Sequence, residues 1–195
     1  RCKLAAYLKE GGKVLATHQS ACCVPGIEYI SEDQYEPSYI VLNEGVIPGV
    51  EALEYVCYRR GSRVKSTLPV KAYIGDPYYN RTPDCFSSHR HFPFNKVSEY
   101  PAILLDDAIG YCAFPLFEDY MIDGNRVFRD IISYLISSLM PRPSMRVKAP
   151  TCAEVTLRRK DERTLVHIIS YIPERRTRTI DVVDTRLPIY QTEVQ

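Results

Sequence analysis

His89 and His91 stand one residue apart in a stretch that also holds Arg81, Cys85, Ser87, Ser88 and Arg90. Such side chains can ligate metals, attack electrophiles or donate hydrogen bonds. His-x-His supplies two ligands, whereas a zinc site takes three or four. No third ligand is evident and no Cys-x-x-Cys occurs, so no metal site is expected. Ser87, Ser88 and Cys85 neighbour His89 in sequence, yet a nucleophile–base constellation is assembled from distant segments. No G-x-S-x-G elbow is present. The pattern suits a sugar surface better. Tyr78, Tyr79, Phe86 and Phe92 offer aromatic faces, and Arg81, His89, Arg90 and His91 offer donors for hydroxyls. With Asn80, the candidate carbohydrate- or interface-binding set is Tyr78, Tyr79, Asn80, Arg81, Phe86, His89, Arg90 and His91. The competing structural reading is that the aromatics pin a long loop onto a sheet while Arg81 pairs with a carboxylate. A loop this rich in bulky side chains is seldom a mere connector.

Glycoside hydrolysis needs two carboxylates about 5 to 9.5 Å apart. The candidates are Asp106-Asp107, Glu118-Asp119 and Asp84. The first pair suits a hairpin turn, where Asp is wanted for its turn chemistry. The second suits a helix start, where carboxylates complement the dipole. No residue is therefore assigned as catalytic acid, base or nucleophile. Cys22-Cys23 follow an apolar run but lack a Gly-rich elbow. His18 and His167 suit structural roles. Gly11-Gly12 is a helix cap and not a phosphate cradle, so no cofactor is expected.

These groups sit in a chain of 195 residues, 45% hydrophobic and 25% charged, a profile that can bury a core. Its 25 basic and 24 acidic residues leave a net charge of +1, which gives no footprint for nucleic acid. Arg158-Arg159-Lys160 and Arg175-Arg176 read as solvated turns. No apolar run approaches the roughly 20 residues of a membrane span. The seven cysteines are odd in number, which points to reduced thiols and a cytoplasmic location. Asn80-Arg81-Thr82 matches a glycosylation sequon, a triplet common by chance.

The elements that must position the candidate loop follow from periodicity. Residues 1–10 read as the end of an amphipathic helix, capped by Gly11-Gly12 and followed by a buried strand over 13–17. Strands are expected over 26–30, 38–42, 54–58 and 70–74. After the loop, a hairpin pairs 102–105 with 109–114 through Asp106-Asp107. Residues 119–140 carry the longest helical pattern, with Val127, Phe128, Ile131, Ile132, Leu135, Ile136 and Leu139 at spacings of three and four. Pro141-Arg142-Pro143 ends it. Strands are then expected over 153–157, 165–171, 179–183 and 189–194. The expected fold is α/β: a truncated, flavodoxin- or amidotransferase-like, mostly parallel sheet with helices over 1–143, and a small antiparallel β-sandwich-like module over 144–195. A helix opening at residue 1, with no strand before it, reads as a piece of a longer chain.

The order of several short motifs carries a resemblance. It runs through Gly-Gly-Lys-Val-Leu, Pro-Tyr-Tyr-Asn-Arg-Thr, Cys-Phe-Ser-Ser-His-Arg and Gly110-Tyr111-Cys112-Ala113-Phe114-Pro115-Leu116-Phe117. It continues through Asn125-Arg126-Val127-Phe128-Arg129-Asp130, Leu139-Met140-Pro141-Arg142-Pro143 and Val166-His167-Ile168-Ile169-Ser170-Tyr171. The chain resembles the C-terminal part of bacterial glycoside hydrolases with a β-galactosidase-trimerisation-like domain. These are the α-L-fucosidases of family 151 and, more distantly, the β-galactosidases of family 42. The resemblance implies a parent with an N-terminal catalytic (β/α)8 barrel. A glutamine-amidotransferase-like domain without amidotransferase chemistry would follow, serving homo-oligomerisation as a trimer. A small β-sandwich would end the chain. The implied role is non-catalytic, with the 78–93 loop expected to reach a sugar pocket, where it would meet a glycan, or the subunit interface. Two alternatives stand beside it: a free-standing carbohydrate-binding module, and an amidotransferase-like hydrolase using Cys22 or Cys23.

Overall fold

The computed structural model describes residues 2–150, 152–175, 179, 181–183 and 188–195. They divide into two units, Arg1–Pro141 and Arg142–Gln195.

In the first unit, helix α1 (Cys2–Lys9) packs Leu4 and Leu8 against the core. It stops at Gly11, whose φ of +87° an L side chain would strain. Gly11 N donates to Leu8 O at 3.1 Å and Gly12 N to Tyr7 O at 2.9 Å, the paired bonds of a glycine-terminated helix. The chain then enters β1 (Val14–Thr17) and a 3₁₀ turn over His18–Cys23. Seven more strands follow: β2 (Ile27–Glu32), β3 (Ser38–Leu42), β4 (Glu54–Cys57), β5 (Ser62–Ser66), β6 (Val70–Pro77), β7 (Phe94–Leu105) and β8 (Ile109–Cys112). Six of the eight strands form one sheet in the order β1-β8-β7-β6-β3-β4, while β2 and β5 pair as a separate antiparallel ribbon.

The sheet is mixed, which corrects the expectation of a mostly parallel one. β1 and β8 run parallel, and every other neighbouring pair is antiparallel. Parallel neighbours need a long crossover, usually helical. Between β3 and β8 no helix intervenes, so successive strands fold back as hairpins and loops.

Two helices complete the unit, α2 (Leu116–Asp123) and α3 (Arg126–Leu139). The single helical pattern expected over 119–140 is broken at Gly124, which takes φ +64°, and restarted by Asn125, whose Oδ1 accepts from Val127 N at 3.2 Å. α3 buries Val127, Phe128, Ile131, Leu135 and Leu139 along one stripe. These meet the sheet's Ile40, Ile74, Ile103, Leu104 and Tyr111, and Phe114, in one apolar cluster. Each such side chain contributes roughly 1.5–3 kcal/mol when fully buried.

β7 runs well beyond the short strand expected over 102–105. Pro101 lies opposite Tyr73, where the register with β6 slips on both sides. Bulges are where a sheet tolerates proline. The extension makes β6 and β7 a long hairpin, with Pro77 opposite Phe94 and residues 78–93 as its tip.

The second unit contains β9 (Val147–Lys148), β10 (Ala153–Lys160), β11 (Arg163–Ser170), β12 (Glu174–Arg175), β13 (Asp181–Val182) and β14 (Glu193–Val194). β10 and β11 pair around Asp161-Glu162, with Asp161 at φ +54°. The described residues form three separate antiparallel pairs, β10–β11, β12–β13 and β14–β9. A sandwich-like packing was expected. Leu165 and Ile169 on one face of β11 and Val166 on the other are exposed. Part of the strand expected over 179–183, and Arg176, lie outside the described residues.

Candidate functional site

The 78–93 tip is held by its own polar groups. Tyr78 N donates to Pro93 O at 3.2 Å and closes the loop at its base. Thr82 and Cys85 exchange backbone bonds of 3.0 and 3.2 Å around Pro83-Asp84, a turn with proline in its favoured second position. Arg81 Nη2 donates to Ser87 O at 3.0 Å and His89 O at 2.6 Å, and its guanidinium lies over Phe86 and Phe92 at 5.6 and 5.8 Å. Arg81 thus binds carbonyls of its own loop rather than the carboxylate the structural reading expects. Phe92 is buried beneath the loop, with its ring centroid 4.9 Å from that of Tyr79 and the two rings tilted by 43°. The Phe92 carbonyl accepts from the Tyr39 hydroxyl of β3. Asn80 ties the loop to the segment between β2 and β3: Nδ2 donates to Gln34 O at 2.6 Å, and Oδ1 accepts from Glu36 N at 3.1 Å.

Arg90 fastens the other side. Its Nη1 lies 2.7 Å from Asp123 Oδ1, and its guanidinium sits 4.0 Å above the Tyr58 ring. Asp123 also accepts from Arg59 at 3.0 Å. Arg59 further reaches Glu118 at 3.0 Å and the fully buried Asp119 at 2.5 Å. The bond from Arg90, joined by that from Arg59, holds the Asp123 carboxyl below the usual range. Burial pushes Asp119 up despite Arg59. Glu118-Asp119 therefore belongs to a loop-anchoring ion network. Asp106 Oδ1 accepts from Ala108 N at 2.8 Å and Ile109 N at 2.6 Å, which makes it the turn residue between β7 and β8.

With Arg90 turned to Asp123, its neighbours His89 and His91 line an open depression of ≈ 420 Å³. Tyr39, Tyr79, Ser87, Pro93 and Phe94 share the lining, and Glu54 and Val56 come from β4, an edge strand of the sheet. Of the eight candidates, Tyr79, His89 and His91 meet here. Asn80, Arg81 and Arg90 hold the loop. Tyr78 and Phe86 stay exposed, at 63% and 73%. Glu54 escaped the reading of the sequence because it is distant from the loop in the chain. Its signal was a charged residue opening an edge strand. His89 and His91 lie with ring centroids 6.1 Å apart, and no cluster of three or more potential metal ligands forms among the described residues.

Other chemistry-bearing residues lie elsewhere. Cys57 and Cys112 are buried, and burial pushes the Cys112 thiol to about 12. His18 takes φ +51° after β1, and its carbonyl accepts from the Tyr111 hydroxyl at 2.9 Å. Among the described residues no helix is long and apolar enough to cross a membrane.

The fold has solved counterparts. The whole chain superposes on α-L-fucosidase isoenzyme 2 from Paenibacillus thiaminolyticus with a TM-score of 0.89 and 26% identity, covering 31% of that enzyme. A family 42 β-galactosidase from G. stearothermophilus, seen as its catalytic mutant, matches 97% of the chain with a TM-score of 0.52 and 17% identity, over 29% of its own length. Its structural relatives are glycoside hydrolases. The chain spans about a third of their length, and the likeness to the β-galactosidase is one of fold. No family model and no curated protein matches the sequence.

Proposed function

We propose that this chain is a non-catalytic accessory and oligomerisation region of a glycoside hydrolase, and that the depression under the 78–93 loop contacts a neutral glycan. The observation that carries this reading is the end-to-end superposition on 31% of an α-L-fucosidase. The site chemistry supports the glycan. Tyr79 and Phe94 offer flat apolar faces, and the imidazoles of His89 and His91 with the Glu54 carboxylate offer donors and acceptors for hydroxyls. Glu54 disfavours an anionic sugar. In this reading the parent carries its catalytic groups outside this chain, and copies of the region associate, as a trimer by family expectation.

Two measurements test the proposal. In two-dimensional NMR, methyl fucoside or methyl galactoside should shift the amides of residues 54–56 and 87–94, with millimolar affinity of about −4 kcal/mol. No shift at tens of millimolar would remove the glycan role and leave a subunit contact as the use of this surface. Light scattering on the parent enzyme should return an oligomer, and a monomer would end the oligomerisation role.

A further inference from the structure

Cys22 and Cys23 are adjacent in sequence, both exposed, and their Sγ atoms lie 3.6 Å apart. We infer that this pair is a dithiol site for a soft, bent, two-thiolate centre of the trivalent metalloid class. It is independent of the glycan surface.

The segment is organised for it. Both cysteines end the 3₁₀ turn His18–Cys23, between Ala21 and Val24, which are 0% and 2% exposed. Val24 N donates to Ala21 O at 3.1 Å and closes the turn over the pair. Two buried anchors thus hold two outward thiols side by side, so little ordering remains to be done on binding. The other described thiols differ. Cys57 and Cys112 are buried and held protonated by desolvation, Cys152 is half-buried beside the Ser170 hydroxyl, and Cys85 is exposed in the 78–93 loop with no second thiol beside it in the sequence.

Geometry decides what the pair accepts. A centre with two bonds of about 2.3 Å, the length of a zinc–thiolate bond, sets its sulfurs about 3.3 Å apart at a right angle, about 3.8 Å at a tetrahedral angle and about 4.6 Å in line. The observed 3.6 Å fits a bent centre and not a linear one. Structural zinc needs four ligands, and no group of three or more candidates forms among the described residues. A direct disulfide is disfavoured as well. Adjacent Cα atoms lie about 3.8 Å apart across a trans peptide, below the roughly 4.4–6.8 Å that disulfides span. A bridging atom relieves this mismatch.

With an organoarsenic(III) oxide, two S–H bonds and the As=O bond break and two As–S bonds form. The oxygen leaves as water with both thiol protons, and no oxidation state changes.

Phenylarsine oxide is the probe, added to the full chain and read by intact-mass spectrometry and peptide mapping. The expected result is one adduct bridging Cys22 and Cys23. It should survive a large excess of a monothiol and be released by a dithiol. Cys22→Ser and Cys23→Ser should each lose the monothiol-resistant adduct, and Cys85→Ser should keep it, with circular dichroism reporting that each variant is folded. Three results would overturn the inference. The wild-type adduct could be stripped by the monothiol, it could persist in the Cys22→Ser/Cys23→Ser double variant, or diamide could convert the pair as readily to a Cys22–Cys23 disulfide.

Discussion

Replacing Arg59 by methionine isolates the ion network that anchors the candidate loop. Asp119 is fully buried, its Oδ2 has no hydrogen-bond partner among the described residues, and Arg59 at 2.5 Å is the cation on its other oxygen. Without Arg59 the carboxyl must remain charged and unpaired or take up a proton. At pH 7, protonating a carboxyl of ordinary pKa, about 3.9, costs about 4 kcal/mol. That route caps the charge penalty and agrees with the roughly 3–5 kcal/mol seen when one partner of a buried pair is removed. At pH 5 the same step costs about 1.5 kcal/mol. Arg59→Met should therefore lose about 3–5 kcal/mol at pH 7 and markedly less at pH 5. With an m-value of about 2 kcal/mol per molar urea, the midpoint at pH 7 falls by about 2 M. Arg59→Met/Asp119→Asn should recover a large part of the loss, because the amide carries no charge. Urea titrations of the two variants and the wild type at both pH values make the test. A loss under about 1 kcal/mol at pH 7, or the same loss at both pH values, would refute the reasoning.

Arg90→Met removes an exposed ion pair, so global stability should change by less than about 1 kcal/mol. Amide exchange over 86–92 should nonetheless accelerate, and any glycan response at His89 and His91 should weaken; unchanged exchange would show that Arg90 does not anchor the loop. The wild type should show opposing pH effects. Burial raises the folded pKa of Asp76 above its unfolded value, with Arg63 opposing, so its contribution to stability grows as pH falls through the folded value toward the unfolded one. Asp123 is shifted the other way, and its contribution is lost as pH falls through its depressed folded value. Asp76→Asn should flatten the first limb of the urea-midpoint profile and leave the second. Gly61→Ala places a Cβ 2.8 Å from the Phe114 ring in the core, and overpacking of this kind costs about 1–3 kcal/mol. A melting temperature within a degree of wild type would show that the ring yields freely.

What was legible in the sequence is what short-range chemistry decides. Gly11-Gly12 ends α1, Asp106 turns β7 into β8, and Asp161-Glu162 turns β10 into β11; each depends on neighbours within a few residues. The break between α2 and α3 was legible in principle. Gly124-Asn125 is a stop followed by a start, but the apolar spacing across 119–140 outweighed it. β7 extends past the strand expected over 102–105 through Lys96, Glu99 and Pro101, residue types that are depleted in strands. Only the pairing with β6, slipped on both sides of Tyr73, admits the proline. The mostly parallel sheet was an over-extension from β1, whose helix-cap-strand approach is that of a parallel unit, while the remaining strands pair antiparallel.

The candidate site divides along the same line. Its membership in one loop is sequential, but the task of each residue is set from afar: Asn80 by Gln34 and Glu36, Arg90 by Asp123, and the far wall by Glu54. Those partners turn the most chemical-looking residues into fasteners. Arg81 and Arg90 have cations directed at loop carbonyls and at Asp123, and the Glu118-Asp119 pair is held by Arg59. Breaking a glycosidic bond takes two carboxylates facing each other across the sugar. Among the described residues lining the depression Glu54 is the one carboxylate, with two imidazoles and the aromatic rings of Tyr39, Tyr79 and Phe94 around it. A lone carboxylate can accept hydroxyl hydrogen bonds but cannot serve as acid and nucleophile at once. In the function proposed above the depression holds a sugar, and the anchoring of Arg90 to Asp123 then sets how well that hold is formed.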